Sequence, residues 1–319
     1  ASFPMVRDVR QRFLWGPAHP LTADGLPSSA SAPTVPLDGG LTAYWGSLGA
    51  YSSFTPGFSA PPHYVLAAAA AQGLHFVALA DRGVAAEPVQ LPPGLTLLPA
   101  WSWQGDEGTA IIYDRRPVSA STLNGLAGQL AADAGPVQWQ GSGNPSLRPL
   151  AALNADDVRS EVLPDLFDDW REMGAPLLPA GNAQPDLPGI ITVNPRFTGL
   201  AGRSQEPSAL LEALTSGRGW MTSDRNTWLT LRAETAAGDS FWMGSWLPAA
   251  NQVTLHIAYG DLDGEAAGLA IWQNGKPLQQ LVIPSADGRW SLTLPALPGA
   301  LLAAVATQAD GDFAVTAPL

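Results

Sequence analysis

Few residues in this chain are equipped for chemistry. Asp81 and Arg82 stand side by side after Phe76-Val77-Ala78-Leu79-Ala80, a short apolar run that reads as a buried strand. A carboxylate there offers a general base or a metal ligand, and the guanidinium offers an anion site or an ion pair with its neighbour. The structural ion pair is the favoured reading. Adjacent carboxylates occur at Asp106-Glu107, Asp156-Asp157 and Asp168-Asp169. Such pairs can supply an acid and a base, but in helices and loops they read first as solvated faces. Asp106-Glu107 stands out because it follows the strand that carries Ser102. Asp261-Leu262-Asp263-Gly264-Glu265 alternates carboxylates as a calcium loop does. It lacks the twelve-residue pattern and is read as a polar hairpin turn. The four histidines, His19, His63, His75 and His256, are scattered. With no G-x-S-x-G elbow, nothing supports a Ser-His-Asp set. There is no cysteine, which excludes thiolate metal sites, disulfides and a cysteine nucleophile.

The elements that must position these residues begin at Tyr44. Tyr44 to Tyr51 reads as a strand. Pro61-Pro62 opens a helix that runs through the alanines to Gln72 and stops at Gly73. The Phe76 strand follows, completing half of a βαβ unit. In α/β proteins ligands sit at the C-terminal ends of such strands, which is where Gly49, Tyr51, Asp81 and Arg82 fall. Further on, Leu95 to Trp103 and Thr109 to Tyr113 read as strands. Ser121 to Ala134 reads as a helix with Ser121 as N-cap, and Val137 to Trp139 as a short strand. Val158 to Met173 is helical, with Leu163, Leu166, Phe167 and Trp170 on one face and Pro164 near its start. Leu177-Leu178 and Ile190 to Val193 are short strands, and Glu206 to Ser216 is a helix ended by Gly217. From Thr227 the pattern changes to about seven short strands, with Asn274-Gly275 as a hairpin turn.

The stretch from Tyr44 to Gly83 resembles the polymerase-and-histidinol-phosphatase (PHP) family, most closely its branch of carbaryl-hydrolase-like metallohydrolases. That family opens G-D-L-H-x-H-S-x-x-S-D-G, continues with a helix starting S-P-E-E, and has a strand ending T-D-H. The matching residues are Gly46-Ser47-Leu48-Gly49-Ala50-Tyr51-Ser52-Ser53-Phe54-Thr55-Pro56-Gly57, then Pro62, then Gly73 through Asp81-Arg82. The resemblance puts the two opening histidines on Gly49 and Tyr51, the aspartate on Pro56 and the next histidine on Arg82. The family's glutamate falls near Ser102, and its late S-D-x-H on Gly181-Asn182-Ala183-Gln184. Only Asp81 keeps a ligand identity. Ala209 through Ser223 and the end of the chain, Ala314 to Leu319, resemble the family's later segments, so the likeness covers about residues 41 to 319. It implies a PHP-type metallohydrolase fold with its metal ligands lost. Independently, a water-activating metal cluster needs imidazole, thiolate or grouped carboxylate ligands, and no histidine here falls on a motif position. No catalytic residue, metal or cofactor is therefore expected.

The 319 residues are 46% hydrophobic and 14% charged, enough for one large or two ordinary domains. No stretch is long and apolar enough for a membrane span. A net charge of −12 argues against nucleic acid as a partner. Twelve tryptophans are many for this length. Trp101 and Trp103 share one strand face; beside Tyr51 and Trp45 they offer a stacking surface for a sugar, with core filling as the stronger reading. Trp242, Trp246, Trp272 and Trp290 are expected to pack the last domain. The expectation is an α/β chain with three parts. Residues 1–40 form an N-terminal extension, with a short helix over Val6 to Trp15. Residues 41–225 form a distorted PHP-type (β/α) barrel, and residues 226–319 an immunoglobulin-like β-sandwich. The expected function is a non-enzymatic binding or structural component of a bacterial cell envelope, with another envelope protein or a glycan as partner. Its ligand-binding cleft is formed by Gly49, Tyr51, Asp81, Arg82, Ser102, Asn182, Gln184, Trp101 and Trp103. The alternatives are a metal-dependent phosphoesterase with a reduced site, or a glycan or small-molecule binder using the vacated cleft. The small residues Ala1-Ser2 fit an exported mature chain, in the periplasm or envelope; a cytoplasmic location is the alternative.

Overall fold

The computed structural model of the chain describes residues 33–84, 91–130, 135–141, 147, 150–154, 163–184, 196–282, 286–295 and 298–319. The expected Val6–Trp15 helix, the Ile190–Val193 strand, Asp156-Asp157 and His19 lie outside them.

The protein is mixed α/β, with many strands and few helices. The N-terminal strands are β1 (Val35–Pro36), β2 (Thr42–Ala50), β3 (Phe76–Leu79) and β4 (Thr96–Pro99). Then come β5 (Trp101–Gly105), β6 (Gly108–Ile112), β7 (Val137–Gly141), β8 (Leu150–Asn154) and β9 (Leu178–Ala180), which pair in that order as a five-stranded sheet. β10 (Phe197–Gly202) and β11 (Gly219–Thr222) follow. The C-terminal strands are β12 (Thr227–Thr235), β13 (Ser240–Trp242), β14 (Gln252–Asp261), β15 (Ala267–Gln273), β16 (Lys276–Val282), β17 (Asp287–Pro295), β18 (Leu302–Gln308) and β19 (Phe313–Thr316). They divide between two sheets. One has four strands in the order β13-β12-β14-β17. The other has ten, in the order β16-β15-β18-β19-β11-β10-β2-β3-β4 with β1 beside β2. The large sheet therefore runs from the C-terminal strands straight into the N-terminal ones, through the pairing of β11 with β19. Leu229, Leu231, Leu255 and Ile257 of the four-stranded sheet share one apolar cluster with Leu269, Ile271, Leu302 and Ala304 of the ten-stranded sheet.

The expected (β/α) barrel is not closed among the described residues. Such a barrel needs parallel strands, each followed by a helix. Here β5, β6 and β7 form an antiparallel meander, and the parallel pairs are β2–β3, β3–β4, β7–β8 and β8–β9. The five-stranded sheet meets the large one at two seams. At one, Arg82 bridges Ser102; at the other, Leu48 N donates to Gly181 O at 3.2 Å and Ala183 N to Arg196 O at 2.8 Å. These seams bring the C-terminal ends of β2, β3 and β9 together with β5.

Four α-helices lie among the described residues: α1 (Pro62–Ala71), α2 (Leu123–Gln129), α3 (Leu163–Met173) and α4 (Pro207–Thr215). None is long and apolar enough to cross a membrane. α1 follows the sequence closely. Pro62 occupies the first turn, where no N–H is needed, and Gly73 takes a φ of 73° just beyond the end. The N-cap of α2 is Thr122 rather than Ser121, since its side chain accepts from Gly125 N at 3.1 Å. Pro164 sits in the first turn of α3, and the predicted face of Leu163, Leu166, Phe167 and Trp170 is buried. The single strand expected over Leu95 to Trp103 breaks at Ala100: β4 pairs with β3 and β5 with β6, in different sheets. All seven C-terminal strands read from the sequence are present, and Asn274 and Gly275 have φ values of 52° and 82°, as a hairpin turn of the primed type requires. β1, β8, β10, β11 and β13 have no counterpart in the sequence reading.

Several of the tryptophans lie against glycines. Trp220 stands directly across from Gly199, and a Cβ there would lie 2.0 Å from the indole. Trp228 covers Gly260, its cross-strand partner, in the same way, at 2.4 Å. A ring laid over a strand glycine restores the packing that the missing side chain gives up. Trp45 and Trp220 meet edge to face, and both donate to Thr227 O, at 2.7 and 3.1 Å. Trp246, expected in the core, is instead 63% exposed.

Candidate functional site

Of the site residues read from the sequence, Tyr51 meets Gln184, Gly49 meets Asn182, and Asp81 and Arg82 meet Ser102 through the backbone, while Trp101 and Trp103 turn into a separate core cluster. Tyr51 N donates to Gln184 Oε1 at 2.8 Å, and Gln184 Nε2 donates back to Tyr51 O at 2.9 Å. The glutamine amide thus pairs with backbone as a neighbouring strand would. Gly49 lies against Asn182. A Cβ on Gly49 would stand 2.7 Å from Asn182 Cγ and 2.8 Å from the Ile111 side chain. Asn182 Oδ1 accepts from Gln138 Nε2 at 3.1 Å, and the Tyr113 hydroxyl lies 2.7 Å from Gln138 Oε1 and 2.9 Å from Leu48 O.

Asp81 is 1% exposed. Its Oδ1 accepts from Ser52 N and Thr55 Oγ1, both at 2.8 Å, and its Oδ2 accepts from Ser52 Oγ at 2.5 Å. Thr55 Oγ1 in turn accepts from Arg82 N at 3.1 Å. The carboxylate ties the loop after β2 to the end of β3, and its charge is met by three donors at short range. The Asp81–Arg82 ion pair expected from adjacency is not formed: the carboxylate faces inward while the Arg82 residue is exposed. Ser102 is 4% exposed, and its backbone N donates to Asp81 O at 3.1 Å. Trp101 is fully buried and Trp103 is 5% exposed, in the cluster that also holds Trp139, Phe167 and Trp170. Trp103 Nε1 donates to Ala120 O at 2.8 Å. Neither indole face is available for stacking a sugar, because the antiparallel meander turns that strand face into the core.

A metal cluster of the kind the family resemblance implies does not fit this donor set. At its positions stand a glycine with no room for a side chain, a tyrosine, an arginine, a serine and two amides, around one carboxylate already satisfied by hydroxyls and an amide. Among the described residues, no group of three or more His, Asp or Glu is placed to hold a metal ion. His75 is 2% exposed, stacks on Trp45 and accepts from Trp45 N through Nδ1 at 3.1 Å. His63 lies on α1 beside Tyr64. Sequence reasoning missed Ser52, Thr55, Tyr113 and Gln138. Ser52 and Thr55 stood inside the quoted motif; Tyr113 and Gln138 carry no local signal.

A second polar cluster lies at the start of β12. Thr227 Oγ1 lies 2.8 Å from Asp224 Oδ2 and 2.9 Å from Asp261 Oδ2, and Gln308 Nε2 donates to Asp261 Oδ2 at 2.8 Å. The amides of Asp263 and Glu265 donate to Asp261 Oδ1, which confirms a turn at the acidic run. Burial pushes Asp224 up to about 6; a hydrogen bond to Asp261 and that group's charge add to the rise, against the pull of the Asn226 amide and the Thr227 hydroxyl. Burial also pushes Asp261 up, but the Glu265 amide and the hydrogen bonds from Asp224 and Thr227 outweigh it and hold Asp261 below its usual range. A carboxyl raised in the folded state contributes stability that is fully present below its ordinary value of 3.8 and is lost as pH rises through about 6. Asn is the isostere of the protonated form. Asp224→Asn is therefore expected to match the parent near pH 4, to gain on it as pH rises to about 6, and to keep a constant advantage above that. Denaturant midpoints measured across that range check this, and parallel curves for the two proteins would contradict it.

No protein-family model matches the chain, and no curated protein matches it. A solved structure similar to it is a two-domain protein from Bacteroides vulgatus containing a predicted PHP-like metal-dependent phosphoesterase. The two share 12% identity over 92% of this chain and 100% of that one, with a TM-score of 0.48. At that level the likeness carries neither activity nor ligand set to this chain.

Proposed function

We propose that this chain is a non-enzymatic binding or structural protein, built on a PHP-like scaffold whose metal site has been replaced by hydrogen-bonded filling. The observation that carries the reading is the contact of Gly49 with Asn182. The position that the resemblance gives to the first metal histidine has no space for a side chain, because the residue at a second ligand position occupies it. The enclosure of Asp81 by Ser52 and Thr55 supports the same reading, since a base or ligand must present a free lone pair to solvent or substrate. The amide pairing of Gln184 with Tyr51 supports it too: the side chain serves as backbone glue.

The hydrolase alternative makes a different prediction. Purified protein assayed on p-nitrophenyl phosphate with added manganese, zinc or iron is expected to show no turnover beyond that of the Asp81→Asn variant. Metal-dependent turnover that disappears in Asp81→Asn would establish a reduced active site and overturn the proposal.

A further inference from the structure

The outer face of the four-stranded sheet carries a pocket that the degenerate site does not involve. Its volume is about 180 Å³. That is the share of roughly six water molecules in the liquid, room for a small polar group. Strand alternation builds it. Leu229, Leu231 and Ala233 of β12 point into the core, so Thr230 and Arg232 point out. Arg232 stands opposite His256 of β14, which stands opposite Ser291 of β17. Arg289 enters from β17, and Trp242 of β13 walls one side.

The donors outnumber the acceptors. Arg232 Nη1 donates to Ser240 Oγ at 3.2 Å, while its Nε is buried and has no hydrogen-bond partner. A buried donor left without a partner is costly, and a guanidinium cannot shed its charge to avoid that cost. No carboxylate lies within ion-pair distance of Arg232 among the described residues. Arg289 Nη1 is paired to Asp38 Oδ1 at 2.6 Å. Two guanidiniums thus face one carboxylate in the pocket. At the rim, His256 Nδ1 lies 2.9 Å from Ser291 Oγ, and its Nε2 lies 3.4 Å from Glu234 Oε2. With Nε closed off from solvent, the outer amines of the Arg232 guanidinium and the Ser291 hydroxyl are the groups a ligand would meet. A guanidinium is planar and forked, the shape that pairs with two oxygens of one oxyanion.

We propose that this pocket binds a small oxyanion, a carboxylate or phosphate borne on a compact polar group, with Arg232 as its principal ligand. Arg232 has no carboxylate partner among the described residues, while Asp38 and Glu234 repel further negative charge, so a monoanion suits the pocket better than a dianion. The proposal is independent of what the Gly49 site does.

The test follows the arginine Nε–H signals by ¹H–¹⁵N NMR at constant ionic strength. The probes are sodium glucuronate, inorganic phosphate and, as the neutral control, glucose. One signal, identified by its loss in Arg232→Gln, is expected to shift saturably with glucuronate or phosphate and to stay put with glucose. A response to glucuronate alone assigns a carboxylate ligand; a response to both assigns a general oxyanion site. Arg289→Gln, at an exposed position, is expected to weaken binding about tenfold while leaving the thermal midpoint unchanged. If the Arg232 signal stays still with both anions up to about 50 mM, an affinity too weak to matter, the proposal is wrong. It is equally wrong if the signal moves as much with glucose, or if Arg289→Gln leaves the affinity unaltered.

Discussion

Asp81→Ala is expected to cost about 3–5 kcal/mol, from charge-assisted hydrogen bonds worth about 1.5–3 kcal/mol each that do not add fully. The substitution leaves Ser52 N, Ser52 Oγ and Thr55 Oγ1 without an acceptor inside a site where the carboxylate is 1% exposed. It also unties the loop after β2 from β3. A domain is typically stable by about 5–15 kcal/mol, so the loss takes a large share of the total. Asp81→Asn is expected to be far milder, about 1–2 kcal/mol, because the amide oxygen still accepts from Ser52 N and Thr55, and the Ser52 hydroxyl can turn to accept from the new NH₂. Denaturant unfolding measures both. The gap between the two variants is the signature of a structural carboxylate. A catalytic or ligating aspartate would behave the other way, with Asn as damaging to activity as Ala and little stability lost in either.

The second large effect is expected at Gly49. A methyl group there would meet Asn182 Cγ at 2.7 Å and Ile111 Cδ1 at 2.8 Å, closer than Cβ atoms stand in real proteins. Asn182 is held by Gln138, and Gln138 by Tyr113, so the strain passes into a buried polar chain rather than into solvent. Gly49→Ala is expected to cost about 1–3 kcal/mol, the usual range for overpacking. Gly49→His, which would restore the residue type of the PHP pattern, is expected to prevent folding. A double-mutant cycle separates packing from backbone effects. If Asn182 is the obstacle, Gly49→Ala costs less in an Asn182→Gly background than in the parent. Equal costs in the two backgrounds would show that something other than this contact keeps the position a glycine.

Both effects were half legible in the sequence. Asp81 was visible as a carboxylate at the end of a buried strand, and Gly49 and Asn182 as ligand positions occupied by the wrong residues. That they touch was not visible, nor was the pairing of Tyr51 with Gln184, which are 133 residues apart in the chain. Apolar periodicity reveals that a strand exists and which face it buries; it does not name the partner. The same limit explains the sheets. Seven of the eight C-terminal strands were found from alternation, but not that β19 pairs with β11 and so continues the sheet of β2 and β10. β10 itself, Phe-Thr-Gly-Leu-Ala-Gly, is too glycine-rich to read as a strand until Trp220 is seen lying over Gly199. Trp101 and Trp103 share a face as read, but that face turned inward because β5 joins a meander, not the parallel sheet assumed for it. The oxyanion pocket was beyond reach for the same reason. It depends on the register of Arg232, His256 and Ser291 across three strands.

The central claim is that hydrogen-bonded side chains fill the positions where metal ligands would stand. Metal content tests it most directly. The protein, purified without chelator, exposed to manganese, zinc and iron and then dialysed, is analysed by mass spectrometry of its elements. The account predicts well under one metal ion per chain, with no difference between the parent and Asp81→Asn. A stoichiometric metal that survives dialysis and is lost in Asp81→Asn would contradict it.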